Sequence, residues 1–428
     1  MSELATRAAI EAVWRIESAR LLGGLVRMVR DVGLAEDLAQ EALITALERW
    51  PETGIPDNPG AWLMATAKNR AVDQLRRRQM LDRTHEEIAS DAVSLPPTRP
   101  DVEAAIDEDV GDDLLRLVLV ACHPVLSTEA RVALTLRLLG GLTTEAIARA
   151  FLVPEPTIAQ RIVRAKRTLA EAKVPFEVPR GEDLSARLPS VLEVVYLVFN
   201  EGYAATRGDG LIRFELCDDA LRLGRILTSL VPGEAEVHGL VALMELQASR
   251  LRARVGPDGE AIRLFDQDRS RWDQLLIRRG LAALDRAETL RRPLGPYTLQ
   301  AAIAACHARA HTGEETDWKR IVALYDALVE LTQSPVVELN RAVAVSMAFG
   351  PTEALELVDA LGNEPLLREY HLLPAVRGDL LEKLGRTVEA GSEFERAAAL
   401  TQNVRERALL LGRARACGRR TGGTGPQA

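Results

Sequence analysis

The sequence predicts an all-α protein, and three observations predict it. Residues 34–50 carry an unbroken apolar stripe at helical spacing. Residues 142–169 read as two helices joined by a tight turn. Beyond residue 190 the chain is rich in Ala, Leu and Arg and repeats i, i+3, i+4 patterns broken by short turns.

In chain order, the opening segment MSELATRAAIEAVWRIES mixes acidic and basic residues and does not read as a secretory leader. In LAEDLAQEALITALERW the stripe is Leu34, Leu38, Ala39, Ala42, Leu43, Ala46, Leu47 and Trp50. Glu36, Asp37, Gln40 and Glu41 lie together on another side and read as an acidic face in solvent. Residues 58–78, NPGAWLMATAKNRAVDQLRRR, supply a turn, a helix containing Trp62, and a basic end at Arg76, Arg77 and Arg78 that suits a helix C-terminus. Residues 81–107 are acidic, contain Pro96, Pro97 and Pro100, and show no sustained apolar period, which predicts a linker.

In LTTEAIARAFLVPEPTIAQRIVRAKRTL, Thr143 is a suitable N-cap for a first helix. Leu152 and Val153 occupy the turn. Pro154 and Pro156 fall where a second helix starts, and proline is tolerated in a first turn because those N–H groups have no helical partner. Ile158, Ile162, Ala165 and Leu169 are spaced to face a core, while Thr157, Gln160, Arg161, Arg164 and Arg167 share another face. This is the layout of a helix-turn-helix with its second helix free to enter a major groove. Arginine bonds guanine bidentately and Gln does the same for adenine, so that face is chemically competent to read DNA. An ordinary helical hairpin with a solvated basic side has the same pattern.

Residues 174–190 hold three prolines and a glycine and predict a second linker. The following patterns (ALYDALVEL, ELNRAVAVSMA, EALELVDAL, EFERAAAL) are punctuated at Ser334-Pro335, Gly350-Pro351 and Gly385, which is the look of stacked helical hairpins. Residues 384–403 read as a tetratricopeptide-like helix pair with Phe394 as a wedge between alanines. The Gly-rich, basic end, residues 413–428, reads as a flexible tail.

A chain of 428 residues predicts two to four domains. Its apolar content of 47% suffices for buried cores, and 27% charged residues suits a soluble surface. No apolar stretch approaches the roughly 20 residues a membrane span needs. The four cysteines, Cys122, Cys217, Cys306 and Cys417, have no C-x-x-C spacing, which predicts reduced thiols in a cytoplasm. The net charge of −8 runs against duplex binding in general, because phosphate contacts carry that affinity, but the cations cluster locally at residues 76–78 and 161–167.

Candidate chemistry is sparse. His307 and His311 lie four apart beside Cys306, with no third ligand near in sequence. Cys122-His123-Pro124 ends an apolar helix and reads as packing and a helix stop. Asp266, Asp268 and Asp273 with Arg269, Arg271 and Trp272 read as an internal salt-bridge network between helical layers, with ligand binding as the other reading. Phosphate-loop, dinucleotide and nucleophile-elbow motifs do not occur. The sequence therefore assigns no catalytic residue, no metal and no cofactor, and it does not predict an enzyme.

Taken together and in this order, the segments AEDLAQEALITALERW, AWLMATAKNRAVDQLRRR and LSTEARVALTLRLLGGLTTEAIARAFLVPEPTIAQRIVRAKRTL (residues 126–169) resemble bacterial extracytoplasmic-function sigma factors of the sigma-70 family. The resemblance covers roughly the first 175 residues. It implies a region 2 bundle at 1–80, a linker at 81–107, a region 4 helix-turn-helix at 108–173 and a linker at 174–190. A helical, tetratricopeptide-like regulatory domain at 191–412 and the tail would follow. It further implies core RNA polymerase and promoter DNA as partners. Asp37, Gln40, Glu41 and Ile44 would meet polymerase. Asn58, Trp62, Asn69, Arg70, Arg76, Arg77 and Arg78 would handle the −10 element, with Asn69 near a flipped base. Thr157, Gln160, Arg161, Arg164, Lys166 and Arg167 would read −35. Flipping a base costs a few kcal/mol and needs a stabilising pocket, not a catalytic group. The sequence departs from the family at Pro156, Ala159 and Gln160, and the loop at 54–60 lacks an aromatic residue, so the promoter sequence is left open.

The stretches YLVFNEGYAA, DQDRSRWD, GPYTLQAAIAACHA, TDWKRIVALYDAL and SPVVELNRAVAV resemble the C-terminal extension of one sigma subgroup. That implies control of, or help to, the sigma part from within the chain, with a protein partner for the extension. The competing readings are a helix-turn-helix regulator with a tetratricopeptide-type interaction domain and a scaffold of such repeats.

Overall fold

A computed structural model describes residues 3–87, 110–151, 153–179, 181–204, 212–256, 260–290 and 293–422. Among these residues the chain is helical throughout, with no β-strand beyond one isolated bridge between Val255 and Ala261. It divides into two compact units, residues 1–195 and 196–428, and the boundary falls inside one helix.

The N-terminal unit contains α1 (Glu3–Val29), α2 (Val32–Thr53), α3 (Pro59–Glu87), α4 (Val110–Ala121), α5 (Thr128–Leu138), α6 (Thr144–Phe151), α7 (Glu155–Glu171) and the first part of α8 (Glu182–Tyr203). Asp31 caps α2, its carboxylate accepting from the Leu34 N–H at 3.0 Å. Of the predicted stripe on α2, Leu34, Leu38, Ala39, Ala42, Ala46 and Trp50 are buried, but Leu47 is exposed. The α1 helix packs on α2, α3 and α4. Leu25, Leu38, Trp50, Leu63 and Leu117 are almost inaccessible at the centre.

Helices run into both of the predicted linker segments. The α3 helix continues to Glu87, and residues 88–109 lie outside the described residues. The α8 helix begins at Glu182 and carries Pro189 inside it. Residues 182–190 are therefore packed structure: Arg187 donates to the Leu119 carbonyl at 3.1 Å, and the Ser190 hydroxyl to the Cys122 carbonyl at 2.7 Å. The three prolines suggested one break, whereas the chain turns before Glu182 and runs helical through the third.

The C-terminal unit continues with α9 (Phe214–Leu230), α10 (Ala235–Ala248), α11 (Gln274–Thr289), α12 (Pro296–Arg309), α13 (Trp318–Thr332), α14 (Pro335–Ala348), α15 (Pro351–Ala360), α16 (Leu372–Lys383), α17 (Thr387–Leu400) and α18 (Val404–Gly422). Consecutive helices pack on one another from α9 to α18. The predicted punctuation holds: α14 and α15 open on Pro335 and Pro351, and Gly385 turns the chain with φ of +79°. Residues 384–403 contain one helix, α17, rather than a pair; its neighbours are α16 and α18. Phe394 is fully buried among Ala390, Ala397 and Ala398. The α18 helix runs to Gly422 with Ala414 and Cys417 buried, so the predicted tail at 413–428 is helical as far as it is described. Arginines tie the layers: Arg341 to Asp326 and Glu338, Arg377 to Asp359 and Glu393, Arg413 to Asp379 and Glu382.

Candidate nucleic-acid interface

The helix-turn-helix begins with Thr143, whose hydroxyl accepts from the Ala146 N–H at 3.1 Å and caps α6. The turn closes with a bond from the Val153 N–H to the Ala148 carbonyl at 3.1 Å; Leu152 lies outside the described residues. Pro154 and Pro156 open α7, as their missing N–H groups permit. Ile158, Ile162, Ala165 and Leu169 are the buried residues of α7, the four that spacing predicted. Gln160, Arg164 and Arg167 are exposed, and Thr157, Arg161 and Lys166 are half-buried. Arg167 is held by Glu171 at 2.6 Å, a surface pair of small net worth.

On the other candidate surface, Asp37, Glu41 and Ile44 are exposed on α2 and Gln40 is half-buried. Ile44 and Leu47 leave 52% and 40% of their surface accessible, a small apolar step on an otherwise charged face. Glu41 meets Arg70 of α3 at 2.5 Å, and Arg70 also donates to the Thr45 hydroxyl at 2.8 Å. The expected polymerase and −10 residues thus touch. Asn58 caps α3 by accepting from the Ala61 N–H at 3.0 Å. Trp62 is half-buried, its ring edge-on to Trp50 with centroids 5.3 Å apart, so it braces α3 on α2. Asn69 and Arg76 are exposed. The side chains of Arg77 and Arg78 lie outside what is described, although both belong to α3.

Sequence reasoning missed how the two surfaces meet. Glu36, expected in solvent beside Asp37, is buried. Arg137 of α5 donates to it at 2.6 Å, and Lys166 of α7 forms an ion pair with the same carboxylate. Burial pushes the Glu36 pKa up, but the charges and hydrogen bonds of Lys166 and Arg137 outweigh that and hold it below the ordinary value. Nearby, Asp113 of α4 is buried between Arg27 of α1 at 3.3 Å and Arg116 at 2.6 Å. Nothing in the sequence marks Glu36 off from Asp37, because the partners lie over 100 residues away.

Other candidates resolve into packing. Cys122 is buried with its sulfur 3.3 Å from the Thr135 hydroxyl, and burial pushes the thiol up to about 11. Nδ1 of His123 accepts from the Val125 N–H at 3.1 Å. His307 packs edge-on against Trp318, and His311 is exposed. No group able to hold a metal ion is found among the described residues. Among those residues, no helix is long and apolar enough to cross a membrane. The expected salt-bridge network around Asp266 is a correction: Asp268 and Asp273 cap backbone N–H groups at residues 270, 275 and 276. Among the described residues only Asp266 pairs with a cation there, Arg263 at 2.8 Å.

A capped helix-turn-helix with a cationic outer face, joined to a second helical module, is the layout of a DNA-binding protein built from two modules. Residues 16–80 match the model of sigma-70 region 2, and residues 116–169 that of sigma-70 region 4. Residues 187–288 match a family of unknown function, DUF6596. An uncharacterized protein of Rhizobium meliloti, R00370, is 46% identical over 391 residues, which is 91% of each chain. The RNA polymerase sigma-H factor of Pseudomonas aeruginosa is 31% identical over 161 residues, 37% of this chain and 82% of that protein. The probable ECF RNA polymerase sigma factor SigI of Mycobacterium tuberculosis is 30% identical over 173 residues, 40% of this chain and 57% of that protein. The chain belongs to the extracytoplasmic-function sigma factors of the sigma-70 family: it is an RNA polymerase sigma factor that confers promoter recognition and transcription initiation.

Proposed function

We propose that the free chain is a closed sigma factor, in which the polymerase-binding helix holds the −35 helix until polymerase and promoter separate them. The single observation behind this reading is Glu36. It sits on α2 one residue before Asp37, and its carboxylate engages Lys166 on α7. The −10 and −35 elements are centred about 25 base pairs apart, which at about 3.4 Å per pair is roughly 85 Å of duplex. Helix α7, with 17 residues, is only about 25 Å long. Helix α3, which packs on α2, takes the −10 element and α7 the −35 element; while α7 is held on α2 the two readers cannot lie that far apart, so α7 leaves α2 when the promoter is read.

In the open form, Asp37, Gln40, Glu41 and Ile44 dock on core RNA polymerase in the cytoplasm. Trp62, Asn69, Arg70 and Arg76–Arg78 handle the −10 element, with Asn58 fixing the start of their helix. Thr157, Gln160, Arg161, Arg164 and Arg167 face the −35 element. Lys166 changes partner from Glu36 to DNA phosphate. The C-terminal unit, a tetratricopeptide-like stack, modulates these steps through a protein partner. The reading is tested by mixing the full chain with core polymerase and promoter fragments: Glu36→Gln weakens closure and raises initiation at limiting polymerase. Equal transcript yield from both chains contradicts it.

A further inference from the structure

The corrected picture around Asp268 leaves three arginines of the C-terminal unit in an unusual state. Arg250, Arg254 and Arg269 are half-buried, and among the described residues none has a carboxylate within 4.0 Å. This contrasts with Arg341, Arg377 and Arg413 of the same unit, each of which holds two carboxylates. Buried charges are ordinarily paired, since desolvation is costly and is offset only by a counter-charge.

The three guanidinium groups converge on aromatic rings instead. Arg254 lies 3.7 Å from the Tyr203 centroid and donates to the Tyr203 carbonyl. Arg250 donates to the Tyr203 hydroxyl at 2.8 Å and stands 5.8 Å from the Trp272 centroid. Arg269 stacks 4.8 Å from the same indole and donates to the carbonyls of His307 and Ala310. Rings attract cations, but far less than a carboxylate in the same place. Burial, with the repulsion of Arg250 added, lowers the pKa of Arg254 and Arg269, and the more distant attraction of Glu406 on the first and of Glu314 and Glu315 on the second does not offset it. Burial and these cations push His307 down to about 3, so it adds no charge. The cluster also contains buried polar atoms without partners. Trp272 is 4% exposed and its indole N–H has no acceptor, and Nδ1 of His307 is likewise unmatched.

We propose that the C-terminal unit binds a small phosphate-bearing anion in this cluster, with Arg250, Arg254 and Arg269 supplying the charge and Tyr203 and Trp272 the walls. Three guanidinium groups with no carboxylate within 4.0 Å among the described residues call for more than one negative charge. A phosphate monoester carries about −1.5 to −2 at neutral pH, whereas a carboxylate carries one. The planar guanidinium fork matches phosphate oxygens bidentately. The cluster is assembled inside the helical stack from α8, α12 and the segment between α10 and α11, which favours a small molecule over a polymer. This site is independent of the closed N-terminal unit.

The test is titration of the full chain with inorganic phosphate, pyrophosphate, adenosine monophosphate and acetate at constant ionic strength, followed by calorimetry and thermal unfolding. Saturable binding of the phosphate-bearing probes with a raised midpoint, and none with acetate, is expected. Arg250→Met abolishes that binding without lowering the midpoint of the unliganded chain, because it removes a repelling charge. Should it lower the midpoint, Arg250→Lys decides: it keeps the charge but not the fork, and weakens binding about tenfold if the site is real. The proposal is overturned by absent or acetate-equal binding, or by unchanged binding in Arg250→Lys. A phosphoserine peptide that binds tighter than every small probe overturns it in favour of a protein ligand.

Discussion

Glu36 of α2 accepts a 2.6 Å hydrogen bond from Nε of Arg137, 101 positions away on α5, and the same carboxylate also holds Lys166 of α7. One buried acid therefore joins the helix expected to meet polymerase to both the support and the reading helix of the DNA-binding module. Removing one member of a buried pair leaves the others uncompensated, which costs more than the pair itself contributes. Glu36→Ala is expected to destabilise the N-terminal unit by about 3 kcal/mol. Urea unfolding of the two chains measures this, and a difference within 0.5 kcal/mol or so, the range of ordinary surface changes, would contradict it.

The same carboxylate sets a pH dependence. Its folded pKa lies below the ordinary value of 4.5, so its contribution to stability is present above that value and is lost as pH falls through the folded pKa. The stability gap between the wild-type chain and Glu36→Gln is therefore full at pH 7 and shrinks below about pH 4.5. Urea midpoints of both chains at pH 7 and at acid pH check this; a gap that widens on acidification would have the wrong sign.

On α7, Arg161 is half-buried at the edge of the face formed by Ile158 and Ile162, and Arg164 is exposed. Arg161→Ala is expected to cost about 1–3 kcal/mol of promoter binding by the holoenzyme at one position of the −35 element if it meets a base. A uniform loss across −35 variants, with a salt slope lower by about one, would reassign it to phosphate.

In the C-terminal unit, Phe394 is fully buried and its ring is the nearest neighbour of Gly378, where an added Cβ would sit 2.7 Å from a ring carbon. Phe394→Ala is expected to cost about 3–5 kcal/mol, and Gly378→Ala to destabilise by overpacking. Calorimetry reads both; a wild-type melting profile for either would mean that α16 and α17 pack differently.

Deleting the C-terminal unit separates help from inhibition. The cut belongs after Tyr203, since α8 packs on the Leu119 and Cys122 carbonyls of the N-terminal unit and a cut at Pro179 would remove those bonds. We expect transcription with core polymerase to fall, consistent with an assisting unit. A rise would make the unit an inhibitor.

The sequence made the helices legible because amphipathic spacing and caps are local. Ile158, Ile162, Ala165 and Leu169 were assigned to the core from period alone, and Thr143 to a cap from its place before an apolar run. The exposed arginines of α7 followed from the same wheel. Glu36 was read as solvated because its fate depends on Arg137 and Lys166, which no local pattern connects to it. Asp268 and Asp273 were expected to pair with neighbouring arginines; they bond backbone N–H groups instead, a choice set by where the turns begin. Leu47 fits the stripe of α2 yet stays exposed, since the stripe is wider than the surface that packs on it.

Closure of the N-terminal unit is tested most directly by a distance measurement. Spin labels at Glu48 on α2 and Ala170 on α7, both exposed, would report the separation of the two helices in the full chain. The native cysteines described here are all buried, which limits stray labelling. One short distance is expected in the free chain and, in the complex with polymerase and promoter, a shift beyond roughly 60 Å, set by about 3.4 Å per base pair between the two elements. An already long or broad distribution in the free chain, or a short distance that persists in a transcribing complex, would contradict it.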